Sequence, residues 1–102
     1  MAVLEVTNNT FQKEVLESSK SVIVDFWASW CNPCRMMSPT IEKISEDNPA
    51  IKVCKVNVDN ENELATKYGV MSIPFFAAFK NGQMINSCVG VQSEDTILDL
   101  LN

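Results

Sequence analysis

The sequence predicts an α/β protein, a three-layer α/β/α sandwich with a mixed five-stranded sheet and four helices. Residues 22–28 are almost continuous in β-branched and aromatic side chains, which is typical of a central strand buried on both faces. Strand and helix patterns alternate in the first half of the chain, which favours parallel strands joined by right-handed crossovers. Asn81-Gly82 is a strong hairpin signal and predicts an antiparallel edge near the end.

The predicted elements follow one another in the order βαβαβαββα. Short apolar or alternating runs predict strands at residues 3–6, 22–28, 51–59, 75–80 and 84–89. Helical spacing of apolar side chains predicts a first helix at residues 10–18, another at residues 61–68 and a last helix after Ser93. We expect Asn8, Asn9 and Thr10 to supply the cap of the first helix, and Ser93 to cap the last.

A longer helix is predicted after the closely spaced Cys31 and Cys34, and Asn48-Pro49 is expected to end it. Its expected inner face consists of Met36, Met37, Ile41 and Ile44. Pro39 lies inside this helix, and we expect a kink there because the proline ring displaces a backbone hydrogen bond.

Length and composition predict one domain over residues 1–102. Apolar residues make up 46% of the chain, enough for a core that needs no disulfide. The 13 acidic against 8 basic residues give a net charge of −5, which disfavours nucleic acid as a partner. Because the chain has no histidine, histidine triads, histidine zinc ligands and histidine proton shuttles are excluded.

The first residues lack a basic head and a long apolar stretch, so we expect no signal peptide. The longest apolar run, residues 73–79, is far too short to span a membrane. We therefore expect a cytoplasmic monomer with no membrane association. In that compartment a disulfide is more often transient chemistry than a structural link.

The motif Cys31-Asn32-Pro33-Cys34 carries the chemistry. Two cysteines three residues apart on the first turn of a helix can form a disulfide with little backbone movement. The free N–H groups and positive dipole at the helix N-terminus favour a thiolate on the first cysteine. The alternatives are half of a zinc site or two idle thiols. Cys54 and Cys88 stand alone in separate strands and supply no second ligand pair, so redox chemistry is favoured.

Asp25 is the second signal, because a carboxylate is costly to bury in an apolar central strand. One interpretation is a buried acid beneath the cysteines, whose pKa burial would raise enough for proton exchange near neutral pH. The alternative is a solvated acid at a strand end.

Residues 24–36 resemble the active-site segment of the thioredoxin family, whose usual form is W-C-G-P-C-K. Met71-Ser72-Ile73-Pro74 resembles that family's cis-proline loop, and Lys80-Asn81-Gly82 and Val89-Gly90 resemble its later landmarks. The resemblance covers the whole length without large insertions. It implies the thioredoxin fold and a thiol–disulfide oxidoreductase that reduces protein disulfides.

The resemblance also implies roles for four residues. Cys31 would attack a substrate disulfide, and Cys34 would resolve the mixed disulfide. Asp25 would deprotonate Cys34 through water, and Lys55 would be the buried lysine near that acid. From the sequence alone, Lys55 could equally be an exposed strand lysine.

A family member of this kind binds no cofactor or metal. Its disulfide is re-reduced by thioredoxin reductase, which carries FAD and uses NADPH. Typical substrates in the family are ribonucleotide reductase, peroxiredoxin and methionine sulfoxide reductase.

The residues expected to contact substrate are Trp30, Asn32, Pro33, Ile73, Pro74 and Gly90, with Trp27 and Pro39 as structural support. In the family the Ile-Pro bond is cis and presents a backbone edge to an extended substrate. Trp30 is either an exposed platform or part of the core. Gly90 either keeps the docking surface clear or merely ends a strand.

Four features depart from the family pattern. Asn32 replaces glycine, Arg35 replaces lysine, and Phe75 stands where threonine is common, so the reduction potential and partner choice are open. Cys54 and Cys88 are additional and are most simply small hydrophobes, although Cys88 lies nearer a strand end, where oxidation is the alternative.

Two rival functions use the same fold. An oxidase or isomerase would need an oxidising compartment and usually has histidine between the cysteines, which this chain lacks. A non-catalytic interaction or scaffolding subunit is not excluded by intact cysteines.

Overall fold

A single mixed sheet organises the chain. The computed structural model describes residues 3–102, so Met1 and Ala2 of the predicted domain lie outside the described residues. The strands are β1 (Val3–Glu5), β2 (Ser21–Trp27), β3 (Ile51–Asn57), β4 (Phe75–Lys80) and β5 (Gln83–Val89). Their order across the sheet is β1-β3-β2-β4-β5. The first three strands are parallel and the last two antiparallel, as predicted.

Within residues 3–102, three helical segments lie between consecutive strands and a fourth follows β5. They are a π-helix (Gln12–Leu16), α1 (Asn32–Asp47), α2 (Asn62–Lys67) and α3 (Glu94–Asp99). The predicted first helix, at residues 10–18, is present as a shorter π-helix. Its predicted caps are wrong, because Phe11 is the N-cap and no side chain of the described residues caps it. The Thr10 hydroxyl instead accepts a hydrogen bond from the Thr7 N–H at 2.9 Å.

The helices cover both faces of the sheet, which confirms the three-layer sandwich. One apolar cluster joins the sheet to the π-helix and α2, and includes Val15, Phe26 and Leu64. The other lies under α1 and α3, and includes Ile23 and Ile97. β2 is central, and its interior residues are buried on both faces.

The inner face of α1 differs from the prediction at one residue. Met37, Ile41 and Ile44 are buried, but 66% of Met36 is exposed. Successive helical residues are rotated by about 100°, so neighbours such as Met36 and Met37 cannot both face the core. Pro39 lies within α1 as predicted, and the kink expected of it stays a prediction.

Local turn and cap signals are confirmed at two places. Asn81 and Gly82 have φ values of 53° and 80°, the left-handed pair that a two-residue hairpin requires. The Ser93 hydroxyl accepts a hydrogen bond from the Thr96 N–H at 3.1 Å and caps α3. The hairpin completes the sheet, and α3 closes the face that α1 covers.

Candidate redox site

The two active-site cysteines are linked by a disulfide at the start of α1. β2 ends at Trp27, and the chain turns so that Cys31 becomes the N-cap residue of α1, with Cys34 in the first turn. The Cα atoms of the two cysteines lie 5.3 Å apart, within the range of protein disulfides. The backbone N–H of Cys34 donates to Sγ of Cys31 at 3.2 Å. The predicted pair is therefore held in a geometry that permits its oxidation.

Burial does not distinguish the two cysteines. Each is only 4% exposed, and with Ala28 they form a small apolar cluster against which Trp27 and Ile73 pack. The expected burial of Cys34 is confirmed, but Cys31 is equally buried while oxidised. Their different positions, the N-cap and the first turn, remain the structural difference between them.

The predicted cis-proline loop lies beside Cys31. The Ile73–Pro74 peptide bond is cis, and the Ile73 carbonyl oxygen lies 3.8 Å from Sγ of Cys31. The Gly90 N–H donates to the Pro74 carbonyl at 2.8 Å. The structure thus brings the loop before β4 and the end of β5 together at the disulfide.

Gly90 has its own backbone requirement. Its φ of +91° lies in the region that side chains disfavour, and among residues 3–102, apart from Gly90 and its two chain neighbours, no atom lies within 4 Å of the position a Cβ would occupy. A side chain there would project into open space. The backbone conformation alone is therefore a reason for glycine, whether or not the position contacts substrate.

Trp30 is a platform on the surface and not part of the core. Its side chain is 65% exposed, and its indole N–H donates to Oδ2 of Asp59 at 2.9 Å. It borders an open groove of about 430 Å³ lined by Trp30, Val58, Ala65, Val70, Met71, Ser72 and Ile73. Met71 is 92% exposed at the groove. Asp59 and Met71 were not among the site residues predicted from the sequence, although Met71 stands in the motif that contains Ile73 and Pro74.

Two of the departures from the family pattern contact each other. Asn32 and Pro33 lie exposed on the first turn of α1, as expected of residues that meet a substrate. The Arg35 guanidinium donates through Nη2 to Oδ1 of Asn32, and through Nη1 to the Ser29 carbonyl at 2.6 Å. Asn32 and Arg35 together therefore tie the turn before Cys31 to the start of α1.

Asp25 is buried, as predicted. It is 4% exposed and lies on the sheet face that α1 covers, in line with Ile23 on β2. Its Oδ1 has no hydrogen-bond partner within residues 3–102. Burial raises the pKa of Asp25 from 3.8 to about 7, while the Lys55 ammonium lowers it and the Glu5 carboxylate raises it further. The alternative of a solvated acid at a strand end is wrong.

Lys55 is the direct neighbour of Asp25 on the next strand. It is half-buried, which lies between the two expectations of a buried lysine and an exposed strand lysine. Its Nζ lies 4.5 Å from the centre of the Trp27 ring. This cation–π contact keeps the ammonium close to the site. Trp27 is half-buried, and its buried Nε1 has no hydrogen-bond partner in the described part of the chain.

Glu5 is a neighbour of the site that was not predicted from the sequence. Glu5 is paired with Lys55 on the opposite side from Asp25. Burial raises the pKa of Glu5 above its ordinary value, and the Lys55 ammonium opposes that rise. Glu5 followed an alternating strand pattern, but only the register of β1 against β3 shows that it faces Lys55.

The remaining departures belong to the core. Phe75 is 7% exposed and packs edge-on against Phe26, with ring centres 5.7 Å apart, so its side chain belongs to the core. Cys54 is fully buried, and burial raises its pKa to about 11. Cys88 is half-buried, and burial also raises its pKa. Both thiols are therefore poor sources of thiolate.

Residues 3–102 contain neither a metal-binding cluster nor a membrane-spanning helix. No group of three or more cysteine, aspartate or glutamate residues is placed to hold a metal ion. No helix there has the length and apolar character needed to cross a membrane.

Comparison with known proteins agrees with this geometry. The Thioredoxin family model matches residues 2–102. Thioredoxin of Rickettsia bellii (strain RML369-C) is 45% identical over 98 residues, covering 95% of this chain and 93% of the relative. Thioredoxin 1 of Synechococcus elongatus is also 45% identical over 98 residues, covering 95% and 92%. Thioredoxin of Pyropia yezoensis is 41% identical over 103 residues, covering 100% and 96%. The chain therefore belongs to the thioredoxin family and is a dithiol–disulfide oxidoreductase whose redox-active group is the Cys31–Cys34 pair.

Proposed function

We propose that Cys31 is the attacking thiolate and Cys34 the resolving thiol in the reduction of protein disulfides. The observation that carries this assignment is the N-cap position of Cys31. Its sulfur accepts the Cys34 N–H and lies at the positive end of the α1 dipole. Both interactions favour the thiolate, which is the reactive form in disulfide exchange.

The cycle balances within the two cysteines and the substrate. Cys31 thiolate attacks one sulfur of the substrate disulfide, and the other substrate sulfur leaves as a thiolate. Cys34 then loses its proton and attacks Sγ of Cys31, which releases the second substrate thiolate. The products are a reduced substrate and the Cys31–Cys34 disulfide. The two electrons come from the cysteine pair, and no bound cofactor takes part.

Asp25 is the proposed proton acceptor for Cys34. With a pKa of about 7, it can take up a proton and release it again near neutral pH. A carboxyl group at its ordinary pKa would be a much weaker base. Lys55 stabilises the carboxylate form and so limits how far burial raises the pKa. The open Oδ1 of Asp25 is the atom available to receive the proton.

The substrate surface is proposed to run from the Trp30 groove across Ile73 and Pro74 to Gly90, with Asn32 and Pro33 beside the disulfide. The groove is mainly apolar, so it suits an extended apolar segment around a substrate disulfide. We propose a cytoplasmic setting, recycling by thioredoxin reductase, and substrates such as ribonucleotide reductase, peroxiredoxin and methionine sulfoxide reductase.

Reduction of insulin disulfides, with dithiothreitol as the electron source, tests the proposed function. We expect catalytic turnover by the parent chain and its loss in Cys31→Ser and Cys34→Ser. Cys88→Ser is the matched control, because Cys88 is a half-buried thiol outside the redox pair, and we expect it to retain activity. A parent chain that did not accelerate the reaction would support the non-catalytic scaffolding role instead.

A further inference from the structure

Three charged side chains form a row across three neighbouring strands. Glu5 on β1 pairs with Lys55 on β3, and Lys55 pairs with Asp25 on β2. Directly paired residues point to the same face of a sheet, so the three side chains share the face covered by α1. Neighbouring strands lie about 4.8 Å apart, which places Glu5 about 10 Å from Asp25 along the row. Along this row, the lysine therefore stands between the two acidic residues.

The row runs from solvent to the interior. Glu5 is exposed, Lys55 is half-buried and Asp25 is 4% exposed. On the other side of Asp25, β4 contributes the apolar Phe76 at the directly paired position. Within residues 3–102, the charges that act on Asp25 are those of Lys55 and Glu5, while Glu61 acts on Glu5.

The two carboxylates compete for the same cation. Lys55 can stabilise the Asp25 anion fully only if its ammonium is not shared, but Glu5 attracts it from the opposite strand. Glu5 also repels the Asp25 anion directly. Both effects disfavour the ionised form of Asp25 and so raise its pKa.

We propose that Glu5 is a positioning residue for the redox cycle: its carboxylate competes with Asp25 for the Lys55 ammonium and repels the Asp25 anion, and so keeps Asp25 a strong enough base to accept the Cys34 proton. This inference rests on the proposed role of Asp25. The proton moves from the Cys34 thiol to the Asp25 carboxylate and is later lost to solvent. Without Glu5, Asp25 would be a better ion-pair partner of Lys55 and a weaker base toward Cys34.

The test is the titration of Asp25 itself, followed by carboxyl carbon NMR in the oxidised protein, where neither active-site thiol titrates. In Glu5→Gln we expect the pKa of Asp25 to fall by about 0.5, the effect of one unit charge about 10 Å away at an effective dielectric of about 40. Glu5→Lys should lower it by about twice as much. Glu46→Gln, an equal change of charge at an exposed position near the far end of α1, should leave it unchanged. An unchanged or raised pKa in Glu5→Gln would overturn the proposal.

The pH profile of insulin reduction separates this inference from the proposed function. We expect the alkaline rise of the Glu5→Gln profile to move to lower pH together with the pKa of Asp25, and the Glu46→Gln profile to match the parent. If the pKa of Asp25 does not move, but Asp25→Asn still slows reduction, Glu5 has no positioning role and the proton-acceptor assignment survives. If the pKa moves and the profile does not, Asp25 is not the acceptor, and the role of Glu5 is overturned with it.

Discussion

Replacing Asp25 by asparagine should stabilise the oxidised protein at neutral and alkaline pH. Asparagine has nearly the same shape as the neutral acid but cannot ionise. It therefore removes the cost of placing a charge at a buried site. At this site Asp25 is only 4% exposed, and its Oδ1 has no hydrogen-bond partner in the described chain. The same change should slow disulfide reduction, because Cys34 would lose its proton acceptor.

The size of the effect follows from the pKa of Asp25, which is about 7 in the folded protein against 3.8 ordinarily. Because the folded pKa is the higher one, this group favours folding fully below about pH 4, and that contribution is lost as the pH rises through about 7. A difference of about 3 pKa units corresponds to about 4 kcal/mol at alkaline pH. Between about pH 5 and pH 8 the parent should lose about 2 to 3 kcal/mol through Asp25 alone.

Urea unfolding of the oxidised parent and Asp25→Asn at several pH values between about 5 and 8 measures this difference. The interval is favourable because the chain has no histidine to titrate there. We expect the parent to lose stability with rising pH and the variant to change far less. A variant that followed the slope of the parent, or was less stable than the parent at about pH 8, would refute the argument from burial.

Two further outcomes follow from the fold. The reduced protein should still unfold cooperatively in dithiothreitol, because two apolar clusters hold the sheet between its helices. Loss of the cooperative urea transition on reduction would contradict this expectation. Gly90→Ala should cost about 1 kcal/mol through its φ of +91° alone. If Gly90 also serves docking, the kcat/KM of Gly90→Ala should fall below that of the parent for insulin but not for a small disulfide such as oxidised glutathione. A kcat/KM equal to that of the parent for both substrates would leave only the backbone role.

The strongest predictions from the sequence concerned positions where local chemistry and burial agree. The apolar run around Asp25 predicted a central strand, and Asn81-Gly82 predicted the hairpin that closes the sheet; both are confirmed. The spacing of Cys31 and Cys34 predicted a disulfide at a helix N-terminus, which is also confirmed. In each case a few adjacent residues determine the feature.

The errors concern side-chain direction and partner choice. Met36 was placed on the inner face of α1 because both methionines are apolar, but helix rotation exposes it. The effect of Phe75 on partner choice was open from the sequence, and the structure packs its side chain against Phe26. The pairing of Glu5 with Lys55 could not be predicted, because the register between β1 and β3 joins residues 50 positions apart in the chain.

The most direct test of the redox assignment is to trap the mixed disulfide. Cys34→Ser should accumulate a covalent complex with a disulfide substrate through Cys31, because no resolving thiol remains to release it. Cys31→Ser should form no comparable complex, and peptide mapping of the trapped species identifies the linked cysteine. We expect linkage through Cys31 in Cys34→Ser only; equal trapping by Cys31→Ser through Cys34 would contradict the assignment of Cys31 as the attacking thiolate.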